Sequence, residues 1–78
     1  MHDVDSKLAQ MWDQLLKSGE ITPDSDFFAC GGTSIVAVYL AAEIQETFQV
    51  AVDAVEVVQY PAFGDLVALV RERLAART

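Results

Sequence analysis

Residues 34–48 read SIVAVYLAAEIQETF, and the spacing of their apolar side chains decides the fold. Apolar residues recur at i, i+3, i+4, i+7 and i+11, which predicts a helix from Ser34 to Phe48 with one buried face. The members of this stripe are Ala37, Leu40, Ala41, Ile44 and Phe48. The far side of the same helical wheel is also apolar, with Ile35, Tyr39 and Ala42 flanked by Val38. One core cannot cover both sides, so this second group either faces a further helix or is a docking patch.

Two more amphipathic helices are predicted, one on each side of this central one. The stripe of the first consists of Leu8, Met11, Trp12, Leu15 and Leu16. The stripe of the last consists of Phe63, Leu66, Val67, Val70 and Leu74. Acid near the start of the last helix (Asp65) and base near its end (Arg71, Arg73 and Arg77) complement the helix dipole.

Residues 50–60 are rich in valine and would suit a β-strand by propensity. The sequence offers no second strand for pairing, so we predict a short helix from Asp53 to Gln59, closed by Tyr60 and Pro61. Three main helices and one short helix can bury their stripes only against each other. The predicted fold is therefore all-α, a small four-helix bundle forming one domain over residues 1–78.

The composition excludes several classes of function. Five basic residues against twelve acidic ones give a net charge of −7, which argues against nucleic acid and favours partners with basic surfaces. No apolar run approaches the length of a membrane span, and the scattered acids do not suggest a metal site. Cys30 is the only cysteine, which excludes a disulfide within a monomer. With no apolar signal segment, this lone thiol indicates the reducing cytosol.

Residues 19–33 break the helical pattern and predict a long ordered loop pinned by Phe27 and Phe28. The loop ends in Gly31-Gly32-Thr33, directly before Ser34. Glycines here permit unusual backbone conformations and close approach of another molecule. A serine at a helix start is ordinarily an N-cap, but the same helix end would also favour a phosphate esterified to it. The residue types alone leave both interpretations open.

The segment Phe27-Phe28-Ala29-Cys30-Gly31-Gly32-Thr33-Ser34-Ile35 resembles the attachment motif of the peptidyl carrier (thiolation) domains of nonribosomal peptide synthetases, which ends in F-F-x-x-G-G-x-S-[LI]. The resemblance covers nearly the whole chain. It includes Trp12 with Leu15-Leu16, then Phe48-Gln49-Val50, and the stretch Gln59-Tyr60-Pro61-Ala62-Phe63. The chain departs from the family at Thr33, where His or Asp is common, at Val57-Val58 in place of a Leu-Phe pair, and at Ala62, where Thr is usual.

This resemblance implies a bundle of the acyl-carrier-protein type that is not itself an enzyme. A phosphopantetheinyl transferase would move 4'-phosphopantetheine from coenzyme A onto Ser34, beside Gly32 and Thr33. The thiol of the arm would hold an aminoacyl or peptidyl group as a thioester, in the cytoplasm, on a monomeric carrier. The implied partners are an adenylation enzyme and condensation, tailoring or thioesterase enzymes of natural-product and antibiotic biosynthesis.

Three apolar residues beside Ser34 are the docking candidates: Ile35, Val38 and Tyr39. Their alternative role is core packing against residues 55–58. Two other functions also stay open, an acyl carrier protein of polyketide or fatty-acid synthesis and a helical docking module never modified at Ser34. The acidity favours an acyl carrier, whereas the paired glycines and phenylalanines favour the peptidyl type. Cys30 lacks the neighbouring base that an activated thiolate needs, so we expect a small buried or half-buried hydrophobe there.

Overall fold

The computed structural model describes residues 3–16 and 19–76. These residues form four helices: α1 (Asp3–Leu15), α2 (Ser34–Phe48), α3 (Ala54–Gln59) and α4 (Phe63–Ala76). The predicted all-α bundle of three main helices and one short helix is confirmed, and α2 has the predicted bounds. Arg77, expected near the end of the last helix, lies outside the described residues.

The core is built around the buried stripe of α2, against which α1 packs, while α1 also packs on α4. At its centre Trp12 of α1 is fully buried. Its ring meets Phe27 and Phe63 edge-to-face, at centroid distances of 6.0 and 5.3 Å. This geometry is favourable because the positive edge of one aromatic ring faces the negative face of the other. Trp12 thus joins α1, the long loop and the start of α4.

The end of α2 involves a conformation that the sequence does not signal. Gln49 closes the helix in the left-handed region, with φ 59° and ψ 42°, and its N–H donates to the Gln45 carbonyl at 2.9 Å. Such a helix end usually carries glycine. The chain then leaves the helix and buries Val50 and Val52 in the core. The other valines of this region lie in α3, so its valine content does not reflect a strand.

The long loop before α2 is pinned to the start of α4 by backbone hydrogen bonds. Phe27 N–H donates to the Pro61 carbonyl at 2.8 Å, and Phe63 N–H donates to the Ser25 carbonyl at 2.8 Å. Phe27 is fully buried, as predicted, but Phe28 keeps 46% of its surface exposed. The expectation that both aromatics pin the loop is wrong for Phe28, because only one of two adjacent side chains points inward here. Phe28 packs on Phe27 from outside, with ring centroids 5.3 Å apart.

Candidate functional site

The two glycines before α2 are required for different reasons. Gly31 has a φ of +96°, a conformation that L side chains rarely adopt. Gly32 lies against Phe27, and a Cβ added there would come within 2.4 Å of the ring and 2.6 Å of the carbonyl oxygen. We expected the two glycines to allow another molecule to approach closely. At Gly32 the close neighbour is instead the buried ring of Phe27 in the same chain.

The turn between Phe27 and the glycines is closed by its own hydrogen bonds. Asp26 accepts the Ala29 N–H on its Oδ2 and the Cys30 N–H on its carbonyl, both at 2.9 Å. Gly32 N–H donates to the Phe27 carbonyl at 2.9 Å. Cys30 is half-buried and packs against the core, as expected of a small hydrophobe. These contacts fix the position at which the loop ends and α2 begins.

Thr33, not Ser34, is the N-cap of α2. Its backbone is extended (φ −134°, ψ 175°), and its Oγ1 accepts the N–H of Val36 at 3.3 Å. The interpretation of Ser34 as a helix cap is therefore wrong: Ser34 is the first helical residue and its side chain is exposed. Its hydroxyl lies where the first N–H groups of the helix give a partial positive charge, which suits an attached phosphate.

The three docking candidates on α2 are exposed. Ile35, Val38 and Tyr39 keep 66%, 55% and 58% of their surface accessible. Their alternative role as core residues is thereby excluded. Two valines of α3, Val55 and Val58, are exposed as well, at 62% and 39%. Exposed apolar side chains therefore lie on both α2 and α3, as is typical of interaction sites.

An apolar groove separates α2 from α3 beside Ser34. Its lining consists of Ser34, Ala37, Val38, Ala54, Val55, Val58 and Gln59. The structure thus brings Ser34 and Val38 together in one groove with α3. Sequence reasoning treated residues 55–58 only as possible core and missed their part in this site. The sequence does not distinguish these valines, because only the structure shows that α3 buries Val57 and leaves Val55 and Val58 exposed.

The far side of α3 carries a polar network that sequence reasoning also missed. Asp53 and Glu56 form a capping box, in which each side chain accepts the backbone N–H of the other residue, at 3.1 and 3.3 Å. Arg73 of α4 donates to both carboxylate oxygens of Glu56, one of them at 3.2 Å, and to the Ala51 carbonyl. The hydrogen bond from Arg73 lowers the pKa of Glu56, and the Asp53 backbone N–H adds to this effect.

The site fits a phosphopantetheine group in three respects: an exposed hydroxyl, a helix start that favours phosphate, and an apolar groove alongside. Among residues 3–16 and 19–76, no three His, Cys, Asp or Glu side chains are grouped so as to hold a metal ion. In the same part of the chain, no helix is long and apolar enough to cross a membrane.

Comparison with known proteins agrees with this description. Residues 6–70 match the family described as the phosphopantetheine attachment site. A polyketide synthase-nonribosomal peptide synthetase of Pyricularia grisea is 36% identical over 77 residues, which cover 92% of this chain and 2% of that protein. A plipastatin synthase of Bacillus subtilis (strain 168) is 34% identical over 69 residues, or 88% of this chain and 3% of the relative. The chain thus spans only a few per cent of the length of these relatives.

Two solved structures share the fold. An active-site mutant of a peptidyl carrier protein superposes with a TM-score of 0.83 at 28% identity, over 95% of this chain and 82% of the other. A docking-domain complex of the Pax synthetase, PaxA T1-CDD with PaxB NDD, gives a TM-score of 0.85 at 23% identity, over 99% and 74%. The latter likeness concerns the fold alone.

The fold and the site together define a small helical carrier domain. The chain belongs to the phosphopantetheine attachment family, and its relatives are nonribosomal peptide synthetases and hybrids of these with polyketide synthases.

Proposed function

We propose that Ser34 is the attachment residue for 4'-phosphopantetheine and that the domain presents an aminoacyl or peptidyl group to partner enzymes. The observation that carries the proposal is the placement of Ser34 as the exposed first residue of α2 while Thr33 makes the cap. The family match over residues 6–70 includes this position. In the attachment, the Ser34 oxygen bonds to the phosphorus, the hydroxyl proton leaves, and the nucleotide part of coenzyme A departs.

The residues around Ser34 have distinct roles in this proposal. The start of α2 stabilises the phosphodiester charge through its backbone N–H groups. Gly32 and Thr33 hold the backbone so that the hydroxyl faces outward, and the groove lined by Val38 and Val55 offers an apolar wall beside it. When attached, the group supplies a terminal thiol on which an acyl group is held as a thioester.

The domain contributes tethering and recognition rather than catalysis. Tethering keeps the acyl group at a high effective concentration near each partner without tight binding. Ile35, Val38 and Tyr39 form the docking surface for these partners, which we infer to be a phosphopantetheinyl transferase, an adenylation enzyme, and condensation, tailoring or thioesterase enzymes. The net charge of −7 favours partners with basic rims, which steer association. We further propose that the carrier acts in the cytoplasm as a monomer.

The decisive experiment is intact-protein mass spectrometry after incubation with coenzyme A and a broad-specificity phosphopantetheinyl transferase. We expect one phosphopantetheine on the wild-type chain and none on Ser34→Ala. Ser25→Ala is the matched control, because Ser25 lies in the same loop region and its hydroxyl accepts the Thr22 N–H. Loading of Ser34→Ala, or of neither protein while the transferase modifies a known carrier, would contradict the proposal.

A second candidate is an acyl carrier of polyketide assembly, favoured by the hybrid relative and by the acidity of the chain. The two candidates differ in the enzyme that loads the thiol. An adenylation enzyme with an amino acid should load a peptidyl carrier, whereas an acyltransferase with a malonyl thioester should load the alternative.

A further inference from the structure

The wall of the groove opposite Ser34 is formed by α3, which packs on α2 and is the shortest of the four described helices. α3 has six residues, and Val57 is its one buried residue. Helices this short are not stable by themselves, so their position depends on the contacts that hold them. The exposed Val55 and Val58 line the groove only if α3 keeps its orientation. Whatever fixes α3 therefore fixes the shape of the surface beside Ser34.

Polar contacts from two other helices hold α3 at its first turn. Gln45 of α2 donates from its Nε2 to the Val52 carbonyl at 2.6 Å, which fixes the chain just before α3. From α4, Arg73 donates to the Glu56 carboxylate through both Nη1 and Nη2. Its Nη1 also donates to the Ala51 carbonyl. A planar guanidinium makes such forked contacts in one relative orientation only, so it specifies direction as well as distance.

Arg71 on the same helix offers a natural comparison. It pairs with Asp5 of α1, and the two side chains are 54% and 52% exposed. Arg73 and Glu56 are less exposed, at 34% and 22%, and Glu56 is also part of the capping box of α3. α4 thus carries two arginines with different partners. Arg71 pairs with α1, away from the groove, whereas Arg73 pairs with α3, which forms one wall of the groove.

We propose that Arg73 is a positioning residue, which through Glu56 and the Ala51 carbonyl holds α3 in the orientation that shapes the groove beside Ser34. The inference deepens the carrier function proposed above and rests on it for one of its two readouts. Enzymes that act at Ser34 must approach the groove, so loosening of α3 should weaken their recognition of the carrier and leave the reacting hydroxyl in place.

The test compares Arg73→Ala with Arg71→Ala in the full chain. Amide hydrogen exchange within α3 should speed up roughly two- to fivefold in Arg73→Ala, the range for an ion pair of this exposure, while exchange in α1 stays as in the wild type. Arg71→Ala should leave α3 unchanged. With a phosphopantetheinyl transferase, Arg73→Ala should raise KM for the carrier and leave kcat near the wild-type value, because Arg73 does not touch Ser34.

Equal exchange in α3 for the two variants, or equal KM values, would overturn the inference. If the wild-type chain accepts no phosphopantetheine, the carrier function fails, and the exchange comparison still tests the role of Arg73. Should Arg73→Ala not fold, Arg73→Lys takes its place. Lysine keeps the charge but cannot reproduce the fork, so faster exchange confined to α3 supports the inference, and wild-type exchange contradicts it.

Discussion

Two segments meet at Ser34, and they are held by different kinds of contact. The loop before it, residues 19–33, is fixed by a fully buried aromatic, Phe27, and by backbone hydrogen bonds to the start of α4. The segment across the groove, residues 49–59, also buries Val50, Val52 and Val57, but it differs in having side-chain polar contacts at the surface, above all those of Arg73 with Glu56 and the Ala51 carbonyl.

These two kinds of contact respond differently to salt and pH. Buried apolar area and backbone hydrogen bonds respond little to charge or pH, so the start of α2 at Ser34 stays fixed unless the core itself opens. Half-exposed ion pairs contribute little stability and respond to salt and protonation. Ser34 therefore lies between a loop held by burial and backbone hydrogen bonds and a groove wall held by burial and by a half-exposed ion pair.

The strongest test of the rigid side is removal of its anchor. Phe27→Ala should destabilise the domain by about 3–5 kcal/mol, because a fully buried ring leaves a cavity next to Trp12. That loss is a large part of the total stability of a domain this small. Urea unfolding followed by circular dichroism measures it.

Phe28→Ala is the matched control for this prediction. Since Phe28 is 46% exposed, its truncation should cost less than about 1.5 kcal/mol. Equal losses for the two phenylalanines would mean that the loop is not anchored through Phe27 in particular.

A smaller effect is expected where the loop passes over that anchor. Gly32→Ala should cost about 1–3 kcal/mol, because the added methyl group overlaps the Phe27 ring and carbonyl. In a Phe27→Leu background part of this cost should disappear, since the ring atoms are gone. Gly31→Ala should cost about 1–2 kcal/mol through its positive φ, with little dependence on Phe27. A double-mutant cycle without coupling between positions 27 and 32 would contradict the packing argument.

Next in size is the start of α2 itself. Thr33→Ala should cost about 1 kcal/mol, because it removes the oxygen that accepts the Val36 N–H. Ser34→Ala should change stability by no more than about 0.5 kcal/mol, because its side chain is exposed and the cap is intact. Thermal melting of the two variants tests whether Thr33 or Ser34 is the N-cap of α2. A larger loss for Ser34→Ala would make Ser34 the cap.

Most of the fold could be predicted because periodic apolar spacing is a local property of the sequence. The stripe of α2 is buried as predicted, and α3 forms without a partner strand. The errors arose where neighbouring residues compete for one role. Thr33 and Ser34 are both good N-caps, and Phe27 and Phe28 are both large and apolar, so residue type does not choose between them.

The parts that could not be predicted depend on distant contacts. Glu56 and Arg73 are 17 positions apart, and their pairing exists only once α3 and α4 are placed. The close approach of Phe27 to Gly32 likewise follows from the folding of the loop. Of the site, the sequence motif predicts Ser34. The second apolar face of α2 was left open between docking and core packing, and the α3 side of the groove required the structure.

The smallest expected effect concerns the polar side of the comparison and its response to acid. The pKa of Glu56 in the folded state lies below its ordinary value of 4.5, chiefly because Arg73 donates to the carboxylate. As pH falls through the interval between these values, the unfolded state binds more protons than the folded state. The stability that the pair contributes above about pH 4.5 is therefore lost as pH falls through the folded pKa. Glu56→Gln removes the charge and keeps an acceptor for the Asp53 N–H, so it isolates this contribution.

We expect Glu56→Gln to have a lower Tm than the wild-type chain at neutral pH. The difference in Tm should close as the pH falls below 4.5, the ordinary pKa of a glutamate. Glu43→Gln, an exposed glutamate of α2, is the control for general loss of negative charge. Because the net charge is −7, removing any acid relieves some repulsion, and only the difference between the two variants reports on Arg73. A gap for Glu56→Gln that stays constant from neutral to acid pH would show that the ion pair does not stabilise α3. Both sides of the groove would then depend on burial alone.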